Sequence, residues 1–139
     1  MTQVDFYILS SEAIAERLQF ACKLTQKVYR MGHRVYIHTA DQAGAEQFNQ
    51  LLWQFSPSSF VPHALQGQAD NEGVTIGWSD NPGESHDVMI NLDLSVPGFV
   101  GRFERVAEVV VQDPLVRDPL RNSWKFYKDR GYPINRNNL

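Results

Sequence analysis

The chain has 139 residues, of which 42% are apolar and 21% charged, a composition that fits one globular domain able to fold without disulfides. Its net charge is −3, and the charge is unevenly spread. Five basic and three acidic residues lie before Val35, eight acidic and no basic ones between Val35 and Gly101, and eight basic and five acidic ones from Arg102 onward. A cationic site must therefore draw on the two ends of the chain, and a long phosphate-tracking surface built from clustered Lys and Arg is not expected. The uncharged stretch Ser56–Ala69 is rich in Ser, Pro and Gln and unsuited to a bilayer. The first residues, Met1–Leu9, lack the basic start and long apolar run of a secretory signal. Cys22 is the single cysteine, so no internal disulfide can form, and a cytoplasmic location is expected.

Val4–Leu9 is a β-rich run bounded by Ser10 and Ser11, and is expected to be the first strand. Ser11 can cap a helix in which Ile14, Leu18, Ala21, Cys22 and Val28 share one face, with Lys27 and Arg30 in the last turn and Gly32 as its stop. Cys22 on that apolar face reads as an inert buried thiol. Arg34–Thr39 forms a second strand. Asp41 caps a second helix with Ala45, Phe48, Leu51 and Leu52 as its buried stripe. Residues 56–73 are expected to be irregular. Val74–Trp78 and Asp87–Leu92 are further strands, with a turn at Asn81-Pro82-Gly83 between them. The Val106–Val111 run suits burial on both faces. Asp113-Pro114 and Asp118-Pro119 each offer a cap followed by a helical Pro. Because Pro119 would break a helix begun at Pro114, the pattern favours a short turn and then a helix from Pro119, stopped by Gly131. Alternation of strands and helices predicts a single α/β domain over 1–139, three layers α/β/α around a mostly parallel mixed sheet.

The chemistry of a catalyst is hard to find. No Gly-rich phosphate loop occurs, and the first strand leads into Ser10-Ser11-Glu12 with no glycine to let backbone approach a pyrophosphate. His33, His38, His63 and His86 stand in no metal-ligand spacing. His38 ends a strand, where a structural hydrogen bond or a site role both fit. Ser85-His86-Asp87 contains triad residue types, but adjacent strand side chains point apart and cannot form a triad. Asp70, Glu72, Asp80 and Glu84 fall in loop-like contexts. No catalytic residue, metal or cofactor is expected, and the chain reads as a binding module.

Two segments have the look of interfaces. In the first, Trp53 lies just off the buried stripe of its helix, and Phe60, Val61 and Pro62 follow in a segment stiffened by Pro57 and Pro62. Large aromatics so placed can anchor a partner, and they can equally cap the core. In the second, Arg121, Lys125 and Lys128 form a cationic stripe beside Leu120, Trp124 and Tyr127, with Arg117 one turn upstream. That pattern suits an acidic peptide with apolar side chains, or single-stranded nucleic acid stacking on Trp124. An amphipathic helix with its aromatic side in the core has the same spacing.

Phe6-Tyr-Ile-Leu9, the block Leu52-Trp-Gln-Phe-Ser-Pro-Ser-Ser-Phe-Val-Pro-His63, the run Asp87–Leu92 and the ending Trp124-Lys-Phe-Tyr-Lys-Asp-Arg-Gly-Tyr-Pro133 resemble, in order and spacing, the chi subunit family of the bacterial DNA polymerase III holoenzyme. The resemblance runs from end to end, and Ser-Phe-Val-Pro-His is its most specific part. It implies a Rossmann-like fold without a nucleotide-binding loop or catalytic activity. It also implies two partners: the psi subunit, a link to the clamp loader, and the acidic, Phe-ending C-terminal tail of single-stranded DNA-binding protein. By the same resemblance psi would contact Trp53, Phe60 and Pro62. The tail would be held by Arg121 and Trp124, with Lys125 and Arg117 nearby and Val110 in the apolar wall. Tight direct binding of nucleic acid and membrane association are not implied. The family position of Trp124 is commonly Tyr. Pro119 departs from the family pattern and would shift Arg117 off the helix face.

Overall fold

A computed structural model describes residues 1–55, 61–67 and 73–139. The elements in chain order are β1 (Gln3–Ile8), α1 (Ile14–Arg30), β2 (Val35–His38), α2 (Gln42–Phe55), β3 (His63–Leu65), β4 (Val74–Gly77), β5 (Val88–Asn91), a 3-10 turn (Val100–Arg102), β6 (Arg105–Val110), α3 (Pro114–Asp129) and β7 (Ile134–Asn138). The strands form one sheet in the order β3-β4-β2-β5-β6-β1-β7. Each of its pairings is parallel, where the sequence suggested a mixed sheet. Asn81-Pro82-Gly83 does turn, with Gly83 N–H donating to Asn81 Oδ1 at 2.9 Å. The strands on either side of it are not neighbours, because β2 lies between β4 and β5.

Successive side chains of a strand point to opposite faces, so each buried strand feeds two cores. Val35, Ile37, Ile76 and Ile90 meet Ala21, Cys22 and Leu24 of α1 and Ala45, Phe48 and Leu52 of α2 on one face. Tyr36, Met89, Val4, Phe6, Val106 and Val110 meet Phe99, Phe103 and the Val116, Leu120 and Tyr127 side chains of α3 on the other. These are the three layers α/β/α of a Rossmann-like domain. Cys22 is fully buried, and burial alone pushes its thiol up to about 12. A thiol reagent should label it only once denaturant opens the first core; native labelling at the denatured rate would contradict this packing.

Three local expectations meet the structure differently. α1 begins at Ile14 with Ala13 as its N-cap residue, not Ser11; Ser11 Oγ accepts instead from the Ala13 N–H, 3.0 Å away, in the turn before it. Asp41 does cap α2, with Gly44 N–H donating to its Oδ1 at 2.8 Å. α3 starts at Pro114, not Pro119, and runs through Pro119. Pro119 cannot donate to the Leu115 carbonyl, a loss of about 3 kcal/mol in a helix interior. The Asp113 cap on Leu115 N–H at 2.9 Å and the burial of Val116 and Leu120 on either side of Pro119 hold the helix together across that gap. Two strands are additions to the expected set. β3 lies within the stretch read as irregular, and β7, Ile-Asn-Arg-Asn-Asn, has the composition of a loop.

Candidate functional site

α3 lies over β6. The neighbouring surface of β1 is left partly open, and a groove of about 290 Å³ forms there. Its floor is Phe6, Ile8 and Val110. One wall is α3, where Arg117, Leu120, Arg121 and Trp124 fall at helical spacing on a single face. Gln112 closes an end, its Nε2 donating to Leu9 O at 3.0 Å. The remaining rim is Arg136 of β7. Sheet register explains that placement: Phe6 aligns with Glu108 on β6 and with Arg136 on β7, and aligned residues of parallel strands share a face.

Trp124 stands edge-on to the Phe6 ring, with centroids 5.0 Å apart and planes at 65°. The Arg136 guanidinium carbon is 5.9 Å from the Trp124 ring centroid. Asp118 projects between the α3 cations. Its Oδ1 accepts from Arg117 Nε at 3.2 Å and lies 3.7 Å from Arg121 Nη1. The groove thus brings together Val110, Arg117, Arg121 and Trp124, as the sequence suggested. The unbroken α3 keeps Arg117 on the groove side despite Pro119. Lys125 is exposed one turn beyond Arg121 and outside the lining. Phe6, Ile8, Gln112, Leu120 and Arg136 were not assigned to this site from sequence. Arg136 could have been found only by recognising β7.

Beneath α3, next to the floor, lies a buried polar network. Glu108 is fully buried, and its Oε2 accepts from Tyr127 Oη at 2.7 Å and Asn91 Nδ2 at 3.0 Å. Burial pushes the Glu108 carboxyl up to about 7, against the lowering effect of those two bonds and of the Arg17 charge. Burial, with Glu108 beside it, also pushes the Tyr127 hydroxyl upward. Arg17, itself buried, donates to Val109 O at 2.8 Å and Leu92 O at 3.2 Å. Sequence reasoning missed this network, although a Glu inside a Val-rich buried strand is a signal that a partner is required. His38 Nε2 lies 3.5 Å from Asp93 Oδ2, and burial lowers the His38 pKa more than Asp93 raises it.

At the far edge of the sheet Trp53 is 48% exposed at the end of α2, and its ring packs on His63 with centroids 4.4 Å apart. Pro62 is half-buried, and its carbonyl accepts from Val74 N–H at 3.0 Å. Trp53 and His63 thus form one aromatic pair, with Pro62 next to His63 in the chain, remote in sheet order from the groove. Phe60 lies outside the described residues.

Fold and groove define a parallel α/β domain with an arginine-rimmed apolar cleft on its β1 and α3 side. The family model described as DNA polymerase III chi subunit, HolC, matches residues 1–135. A protein of Pseudomonas aeruginosa named DNA polymerase III subunit chi is 42% identical over 134 residues, covering 96% of this chain and 94% of that one. Proteins of the same name from Haemophilus influenzae and Escherichia coli are 28% and 29% identical, covering 97% of this chain and 96% and 97% of their own. The chain belongs to the DNA polymerase III chi subunit family, and its role is that of an accessory polymerase subunit in DNA replication.

Proposed function

We propose that the protein is a non-catalytic adaptor that acts in the cytoplasm, joining the psi subunit, and through it the clamp loader, to the acidic, Phe-ending C-terminal tail of single-stranded DNA-binding protein. The groove is the observation that carries this reading. Ile8 and Trp124, backed by the buried Phe6 and Val110, give the groove an apolar lining, and Arg117, Arg121 and Arg136 surround it. Burying the ring of a terminal Phe contributes roughly 1.5–3 kcal/mol. Solvent-exposed arginines add less per contact and do so in a salt-dependent way. Single-site affinity is therefore expected to be modest, and many tails displayed together on coated DNA compensate by avidity.

Titration of the protein with a short acidic peptide ending in Phe, and separately with an oligonucleotide, tests the proposal. Peptide binding that weakens with salt, with negligible oligonucleotide binding at physiological salt, is expected. Tight oligonucleotide binding with none to the peptide would instead make Trp124 a base-stacking platform. The absence of any Lys or Arg between Val35 and Gly101 favours the peptide.

The half-exposed Trp53 ring packed on His63, next to Pro62 in the chain, supports assigning the psi contact to that edge, with Phe60 as a further proposed contact. Trp53→Ala should abolish co-purification with psi, leave peptide binding unchanged and shift stability by less than about 1 kcal/mol. Loss of both binding activities together with a large fall in the unfolding midpoint would make Trp53 a core residue.

A further inference from the structure

His38 takes no part in the groove or in the Glu108 network. It is the last residue of β2 and only 5% exposed, and with Trp78, Asp80, Asp93 and Phe99 it lines a cavity of about 230 Å³. Chain topology opens that cavity. β2 and β5 are parallel neighbours, but β2 continues into α2, which packs on one face of the sheet, and β5 continues toward Phe99, which packs on the other. Where the connections of neighbouring strands leave for opposite faces, a crevice forms at the carboxyl ends of the strands, and open α/β sheets bind ligands there. Trp78 packs with the α1 and α2 core and Phe99 with the α3 core, so the two rings come to the crevice from opposite faces. The polar groups in it are acceptors. His38 Nε2 lies 3.5 Å from Asp93 Oδ2, and a carboxylate at that place selects the tautomer with its proton on Nε2. Nδ1 is then a bare acceptor, and it is buried with no hydrogen-bond partner among the described residues. A buried acceptor without a donor is costly, and a bound donor removes that cost. The Ser79 hydroxyl proton is already given to Asn81 O at 3.0 Å. No Lys or Arg lines the cavity, and none occurs between Val35 and Gly101, so an anion there would meet two carboxylates and no cation.

We propose that the crevice between the carboxyl ends of β2 and β5 is a second binding site, which takes a guanidinium group with Asp80 and Asp93 as counter-ions, His38 Nδ1 as acceptor and the Trp78 and Phe99 rings as stacking partners. The chemistry selects this group over other cations. A guanidinium is planar and weakly hydrated and carries its donors along the rim, so it lies against an aromatic ring while bonding a carboxylate and a ring nitrogen. A primary ammonium is a strongly hydrated point charge and gains less from the same walls. A metal ion lacks a ligand set, because no group of three ligating side chains occurs among the described residues. At about 230 Å³ the cavity is smaller than the roughly 300 Å³ at which sites for drug-sized ligands begin, so it takes a head group and not a nucleotide. That group arrives on the side chain of a partner's arginine or as a small free cation. The cavity shares no lining residue with the groove, so this site stands or falls independently of the acidic-peptide proposal.

Two-dimensional NMR of the full chain tests the site. Methylguanidinium, titrated at fixed ionic strength, should shift the Trp78 indole N–H and the His38 ring signals, leave the Trp124 indole unmoved, and saturate with a Kd of roughly 1–10 mM, the range open to a few contacts on so small a ligand. Methylammonium should bind about three-fold or more weakly. Asp93→Asn, which keeps the size of the side chain, should weaken methylguanidinium binding about five-fold or more. His38→Phe keeps the packing against Tyr36 and Phe99, loses the acceptor, and should weaken it about three-fold. A short peptide with one arginine and no other charge, compared with the same peptide carrying citrulline, separates the two sources. Binding tighter than that of methylguanidinium and lost with citrulline supports a partner's arginine, and binding no tighter than methylguanidinium supports a small free cation. Shifts at Trp78 and His38 with inorganic phosphate or zinc but not with methylguanidinium overturn the ligand class. Wild-type binding by both Asp93→Asn and Asp80→Asn at unchanged thermal midpoints, or a wild-type protein indifferent to methylguanidinium, overturns the site.

Discussion

Glu108→Leu is expected to destabilise the protein by about 3–5 kcal/mol, the cost of removing one partner from a buried charged network. The substitution is close in volume, so the loss comes from what it leaves behind. Tyr127 Oη and one proton of Asn91 Nδ2 lose their acceptor. The buried Arg17 guanidinium loses a neighbouring negative charge. Each stranded group costs about 1–3 kcal/mol in an interior that cannot supply water. Glu108→Gln keeps an acceptor oxygen in the same place and should cost much less. It should also change the response to pH. The Glu108 carboxyl is raised from its ordinary 4.5 to about 7, so the folded state holds its proton more tightly than the unfolded chain. The resulting stabilisation is full below pH 4.5 and is lost as the pH rises through about 7. Wild-type unfolding midpoints should therefore carry a falling component between these values that Glu108→Gln lacks. Parallel wild-type and Gln profiles, or a Leu variant within 1 kcal/mol of wild type in denaturant unfolding, would show that the network does not hold the α3 layer.

Trp124→Ala is expected to weaken binding of the acidic, Phe-ending peptide by roughly 30-fold or more, the loss of about 2 kcal/mol that marks a central aromatic contact. The ring forms the α3 wall of the groove and stands edge-on to Phe6 5.0 Å away, so its removal takes away both the surface for the incoming ring and the contact that shapes the floor. Trp124→Phe keeps a wall and should recover most of the affinity, whereas a merely electrostatic site would not distinguish the two. Arg121→Ala should have a smaller effect that shrinks further in salt, because Arg121 is 70% exposed and already faces Asp118. Equal binding by Trp124→Ala and wild type, measured by calorimetry on protein of unchanged thermal midpoint, would remove the groove from the binding site.

The α3 half of this site is legible in the amino-acid sequence because helical spacing is a local property. Arg117, Arg121 and Trp124 recur at intervals that any helix puts on one face. The start of that helix is not legible in the same way. A proline rule operates on one missing bond, while the Asp113 cap and the buried pair Val116 and Leu120 act on the whole first half of the element. The sheet half of the site is hidden altogether. Nothing within Ile134–Asn138 marks a strand, and it is one because β1 offers it a parallel edge. Glu108 is hidden for a related reason: its partners Tyr127, Asn91 and Arg17 come from three other parts of the chain.

By itself the sequence determined the alternation of strands and helices, the two apolar faces of the sheet, the acidic middle of the chain and the cationic stripe near its end, all set by composition and by periods of two or 3.6 residues. Tertiary structure alone decided that every described strand runs parallel, that α3 covers β6 and leaves Ile8 partly open beside the buried Phe6, and that Arg136 meets Trp124 across the cleft. Those outcomes depend on register between strands far apart in the chain, where hydrogen-bond pairing and burial of the shared face choose the neighbour and local preference has no say.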